Sequence, residues 1–204
     1  KVVSILIFNI LPFKENLVLV LDRTNWKFGE HNINILMLGI SYKNVAFPLM
    51  FKMLDKRGNS DTEERINLIK KYIEWFGKQS IDCLLADREF VGGKWLEFLN
   101  DEKIRYHIRI RNNFTIYSYQ KQEQIKAFWL FNNLKVSEFY HYPKIVELHG
   151  QRCYLSGTKT IDRDGKMEFL IIVSFNKPEQ AMEYDKQRWQ IETLFRGLKS
   201  SGFN

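Results

Sequence analysis

Two short, almost unbroken apolar runs each end in an aspartate: Asn16–Asp22 (Asn-Leu-Val-Leu-Val-Leu-Asp) and Ile81–Asp87 (Ile-Asp-Cys-Leu-Leu-Ala-Asp). Runs this short without polar alternation fit strands covered on both faces, as a parallel or mixed sheet under helices provides. Asn34–Ser41 and Val45–Met53, joined through Tyr42–Lys43–Asn44, read as a hairpin that follows the first run. Ser60 with Glu63 three residues on gives a capping-box signal. Ile66, Ile69, Ile73 and Phe76 then recur at helical spacing, and Gly77 can end the helix. Gly92–Gly93 opens a second helix over Lys94–Asn100, and Ile104–Ile110 alternates like a strand.

From Asn112 to about Gly165 the pattern breaks into short β-like pieces with turns near Asn132–Asn133, His149–Gly150 and Asp164–Gly165. Phe169–Ser174 is a further strand. Pro178 suits the first turn of a helix that runs to about Lys199, with Ser201–Gly202 ending it. The order β-β-β-α-β-α-β, a mainly β insertion, then β and α, predicts an α/β fold with a mixed sheet and flanking helices. Residues 1–111 and 166–204 form the expected core, and residues 112–165 the insertion.

Ligand sites in open α/β sheets gather at the carboxyl ends of strands. Asp22 and Asp87 close the two buried runs, so parallel neighbours would bring both to one sheet edge; an acid ending a strand is also an ordinary turn residue. The last helix adds a third acid. Taking Arg188 as zero, Glu192 lies near 40°, Lys199 near 20° and Phe195 near −20° around the helix, at about 100° per residue. This charged stripe overlaps an apolar face of Ala181, Tyr184, Ile191, Leu194 and Leu198. It is either an exposed i, i+4 pair or part of a site. Three carboxylates are the hard oxygen ligands that Mg²⁺ or Mn²⁺ takes, and such a set can hold two ions about 4 Å apart.

Composition bounds the alternatives. The chain has 204 residues, 45% apolar and 27% charged, which excludes a disordered tail, a fibre or a coiled coil. Its longest apolar stretches fall far short of the roughly 18 residues of a membrane-spanning helix. It starts at Lys1 and reads as a piece of a longer protein. The net charge of +7 points toward a polyanionic partner. Lys103–Lys135 carries seven basic residues against Glu123 alone, interleaved with Tyr106, Phe114, Tyr117, Tyr119, Phe128, Trp129 and Phe131. Such a segment either tracks phosphates and stacks bases, or packs its rings inward and leaves its cations solvated. Cys83 and Cys153 form no CxxC pair and imply no zinc site, and a reducing compartment is expected. His31, His107, His141 and His149 lack metal-ligand spacing and read as structural or solvated. Gly92–Gly93 lacks the Lys-Ser/Thr of a phosphate loop, so no nucleotide cofactor is implied.

Three segments together resemble the DDE transposases of bacterial insertion sequences. They are Leu21–Asp22–Arg23–Thr24–Asn25–Trp26, Ala86–Asp87–Arg88–Glu89–Phe90, and Arg188–Trp189–Gln190–Ile191–Glu192 with Lys199 seven residues on. The resemblance runs from about Asn16 to Asn204, and the subgroup is the one with a Tyr–Arg–Glu–Lys signature on its last helix. It implies a ribonuclease H-like core, the acids Asp22, Asp87 and Glu192 as catalytic metal ligands, and two Mg²⁺ ions with Mn²⁺ as substitute. It implies DNA contacts from Arg188, Lys199, Tyr184 and Arg196, with Trp26 and Trp189 as packing residues. Cut-and-paste movement of element ends into target DNA follows from it, as do a homodimer on DNA, no membrane, and a bacterial cytoplasm with nucleoid association. The alternatives of the same fold are a non-transposing nuclease and an inactive DNA-binding relic. One position departs: the signature places Tyr three residues before Arg188, where this chain has Asp185, with Tyr184 one residue early.

Overall fold

The computed structural model describes residues 1–12, 15–43, 45–162 and 164–200. It divides into two compact units, Lys1–Ala86 with Lys186–Asn204, and Asp87–Asp185. The expected mixed α/β architecture is what the chain adopts.

The first unit opens with α1 (Val2–Ile10), a helix beyond those the sequence pattern predicts. Phe8 holds it by stacking on Phe76, ring centroids 4.5 Å apart. Three long strands follow: β1 (Leu17–Phe28), β2 (His31–Tyr42) and β3 (Val45–Leu54). β1 pairs antiparallel with β2, and β2 with β3. Asn44 of the expected hairpin turn lies outside the described residues.

α2 (Thr62–Phe76) crosses back, and the short strand β4 (Ile81–Ala86) pairs parallel with β1, giving the order β3-β2-β1-β4. The cap of α2 is one residue later than expected. Asp61 accepts the Glu64 N–H and Glu64 reaches back to the Asp61 N–H, each at 2.8 Å. Ser60 is buried instead and accepts from Arg65 Nε at 2.9 Å, so the box shifts to the pair left facing solvent. Arg65, Leu68, Ile69 and Tyr72 form the buried stripe of the helix. The core is aliphatic: Leu19, Val20, Leu21, Leu36, Leu38, Leu84 and Leu85 are fully buried. Truncating any of the leucines to Ala would cost about 2–5 kcal/mol.

The second unit starts with α3 (Gly93–Asp101) and β5 (Tyr106–Ile110). The expected insertion segment carries β6 (Thr115–Ser118), β7 (Glu123–Lys126), β8 (Phe139–His141), β9 (Val146–Leu148) and β10 (Gln151–Ile161). β11 (Met167–Ser174) follows, and the order within the unit is β5-β11-β10-β9-β6-β7, with β8 also on β10. Gly157 of β10 lets the buried Phe131 ring lie flat on the strand, because a Cβ there would sit 2.9 Å from the ring. The 3₁₀ turn Pro178–Gln180 leads into α4 (Ala181–Ser200). The expected stop at Ser201–Gly202 lies outside the described residues. No described helix is long and apolar enough to cross a membrane.

Candidate active site

Leu21 pairs with Ala86 at the end of the β1–β4 register, so Asp22 and Asp87 are each the residue that directly follows a paired position. The expectation that Asp22 ends its strand is corrected. β1 runs on to Phe28 because its antiparallel partner continues beside it, from Asp22↔Met37 to Phe28↔His31. What ends at Leu21 is the pairing with β4. Asp22 is half-buried, and its Oδ1 accepts the Arg23 N–H at 2.7 Å. Asp87 is also half-buried; its carbonyl accepts the Phe90 N–H at 2.9 Å, closing a turn that buries Phe90 completely.

Arg23 points its guanidinium at three asparagines. Nη1 donates to Asn25 Oδ1 at 3.0 Å and Asn34 Oδ1 at 3.2 Å, and Nη2 to Asn59 Oδ1 at 3.3 Å. Asn34 in turn donates to the carbonyls of Lys56 and Gly58. Three neutral acceptors thus help orient this arginine. The sequence pattern assigns none of Asn25, Asn34 and Asn59 a role toward Arg23.

α4 is seated on β2 by small contacts. Ser41 Oγ lies 2.6 Å from Gln190 Oε1 and 3.2 Å from Gln187 Oε1, so its one proton serves one glutamine at a time. Gly39 lets Ile191 approach: a Cβ at Gly39 would stand 3.1 Å from the Phe47 carbonyl and 3.7 Å from Ile191 Cδ1. A glycine inside an apolar strand run marks such close approach, and the sequence-based expectations did not include this one. The buried residues of α4 are Ala181, Asp185, Arg188, Ile191 and Phe195, so the face turned inward contains two charges. Arg188, only 3% exposed, donates from Nη1 to Glu192 Oε1 at 2.8 Å, and Glu192 stays one-third exposed. The Arg188 guanidinium also lies over the Trp189 ring at 4.9 Å. Trp189 is 47% exposed, which corrects its reading as a packing residue: it flanks the arginine on the solvent side. Trp26 is half-buried, and Lys199 and Arg196 are exposed.

In the second unit, Asp185 is 8% exposed and takes Arg109 Nε at 3.2 Å, while Tyr184 stacks on His107 with centroids 5.0 Å apart. His107 bonds Ser174 Oγ at 2.8 Å; His31, His141 and His149 are exposed. The basic-aromatic segment divides between its two readings. Tyr106 and Phe131 are fully buried, whereas Trp129 and Tyr119 are 57% and 39% exposed. Arg105 and Lys126 are engaged with Gln180 and Thr115.

The transposase DDE domain family matches residues 14–204. The chain belongs to that family. Among proteins with curated descriptions, none matches the sequence. Among solved structures, the DDE domain resembles the piggyBac transposase in a synaptic complex with hairpin DNA, at 16% identity and TM-score 0.52. That likeness covers 91% of this chain and 41% of the transposase chain, so this chain spans less than half of that relative. It supports the ribonuclease H-like fold. Endonuclease V from Bacillus subtilis also matches, at 9% identity and TM-score 0.34, over 92% of this chain and 78% of that one.

Asp22, Asp87 and Glu192 are each partly exposed carboxylates, the hard oxygen donors that a divalent cation takes. Among the described residues, no three His, Cys, Asp or Glu stand together as a ready-made metal site.

Proposed function

We propose that this DDE domain is the catalytic core of an insertion-sequence transposase of the Tyr–Arg–Glu–Lys subgroup, acting on DNA by cut-and-paste transposition. The supporting observation is that two aspartates directly follow a matched pair of positions, Leu21 and Ala86, in adjacent parallel strands. That is the arrangement from which open α/β sheets build sites. Asp22, Asp87 and Glu192 are assigned as the acids that hold two Mg²⁺ ions, or Mn²⁺ in their place. When bound, these ions would activate a hydroxyl nucleophile and stabilise the leaving oxygen of a phosphodiester.

The chain's own residues do the rest. Arg188, already buried against Glu192, orients that carboxylate and carries a bidentate-capable charge for a phosphate. Lys199 and Arg196, exposed on the same helix, contribute point charges along a DNA backbone, and Tyr184 a ring at its start. Residues 112–165 are assigned as the insertion of the family, and residues 1–111 with 166–204 as the core. Two element ends require two active sites, which makes a homodimer on DNA the working assembly, in a bacterial cytoplasm beside the nucleoid. The likeness to a transposase in a DNA complex supports the DNA partner.

A strand-transfer assay with intact and pre-cleaved element ends and a target plasmid tests this reading. Joined products that require a 3′-hydroxyl support the transposase. Cleavage without joining would favour the non-transposing nuclease, and DNA binding without either the inactive relic.

A further inference from the structure

Away from the acids, the first unit has a groove of about 480 Å³ between α1, β3 and α2. Lys1, Lys52, Lys70 and Lys71 line it, with Glu74 the only acid among its lining residues. Phe51 and Trp75 line it as well. Phe51 is 64% exposed on β3, which is the outer strand of the unit's order, and Trp75 is half-buried with the Lys1 ammonium 5.8 Å from its ring. Lys52 also lies 3.7 Å from Glu64, and its side chain is 44% exposed. The four lysines exceed the nearby acids, Glu74 in the lining and Glu64 beside Lys52, and this basic excess favours a polyanion. Two aromatic surfaces among the cations select one that carries flat apolar groups.

We infer that this groove holds a single DNA strand, with phosphates on Lys52, Lys70 and Lys71 and bases against Phe51 and Trp75. Lysines that track a backbone beside rings that accept any base are how single strands are held without sequence preference. A duplex keeps its bases stacked inside and offers such rings nothing. The inference rests on the DNA-processing reading for the origin of the strand: cleavage of element ends produces strand termini that must be kept from re-pairing. It does not rest on the acid triad.

The test is anisotropy titration of the whole chain with labelled oligothymidylate and with a duplex of equal length, in EDTA, across a salt series. Lys70→Gln/Lys71→Gln, on an exposed helix face, should weaken strand binding and lower the salt slope by roughly 0.7 for each lysine removed. Phe51→Ala should weaken it about fivefold or more with the salt slope unchanged. Strand affinity untouched by both groove variants would overturn the inference. So would an equal loss for the duplex, or displacement by polyglutamate as readily as by unlabelled strand. Normal strand binding by a chain that never cleaves DNA would remove the catalytic reading and leave the groove standing.

Discussion

Leu21 and Ala86 face each other in the last pair of the β1–β4 register, and an aspartate follows each of them. Glu192 is set by a different device: α4 rests on β2 through Gly39 and Ser41. Substituting Gly39 by Val therefore pushes against both the Phe47 carbonyl and Ile191, the neighbour of Glu192. Overpacking of this kind costs about 1–3 kcal/mol. We expect a lowered melting temperature and a loss of DNA cleavage larger than the loss of fold, read by calorimetry and nicking on the same preparation. Unchanged cleavage in a destabilised protein would mean that the α4 seat does not position Glu192.

Asp185 occupies the position where the signature of the proposed subgroup has tyrosine. It is a buried partner of Arg109. Restoring the signature with Asp185→Tyr removes that carboxylate and inserts a ring, so we expect destabilisation of about 2–4 kcal/mol in chemical denaturation. A variant as stable as the parent would show that the ion pair is dispensable and that Asp185 is a neutral replacement.

Much of this was legible in the sequence, and the failures share a cause. The buried strands, the hairpin, the helices and the order of elements followed from apolar runs and turn residues, which are local signals. Asp22 was misplaced at a strand end because strand length depends on the partner, and β2 carries β1 on to Phe28. The cap of α2 was placed on Ser60 because the sequence does not say which of two adjacent polar residues Arg65 will bury. Trp189 was assigned to packing because an indole is mostly apolar, whereas here it flanks a buried guanidinium from outside. α1 has no polar face at all, so its period gave no sign of a helix. Nothing local linked Arg109 to Asp185.

The α2 cap responds to pH. The Asp61 carboxyl is held below its ordinary value, first by the Glu64 N–H and then by Lys56. Its contribution is thus present above the ordinary value of 3.8 and is lost as pH falls through the lowered one. The Glu64 amide resonance should move only below about pH 3.8, and Asp61→Ala should cost about 1 kcal/mol. A titration centred at the ordinary aspartate value would contradict the cap.

Both cysteines are buried, and burial pushes the Cys153 thiol up to about 12 from its ordinary 9.0. Because the folded value is raised, this thiol favours the fold below pH 9 and that support is lost as pH rises toward 12. Ellman's reagent at pH 8 should find no fast-reacting thiol in the native protein and two after unfolding. Rapid native labelling of Cys153 would contradict its burial.

Nicking of a supercoiled plasmid carrying the element ends, in Mg²⁺ and in Mn²⁺, tests the acid assignment most directly. Wild type, Asp22→Asn, Asp87→Asn and Glu192→Gln should bind the plasmid alike, and only the wild type should nick it. Nicking that survives in Asp87→Asn, with binding intact, would contradict the assignment of this carboxylate and with it the three-acid account.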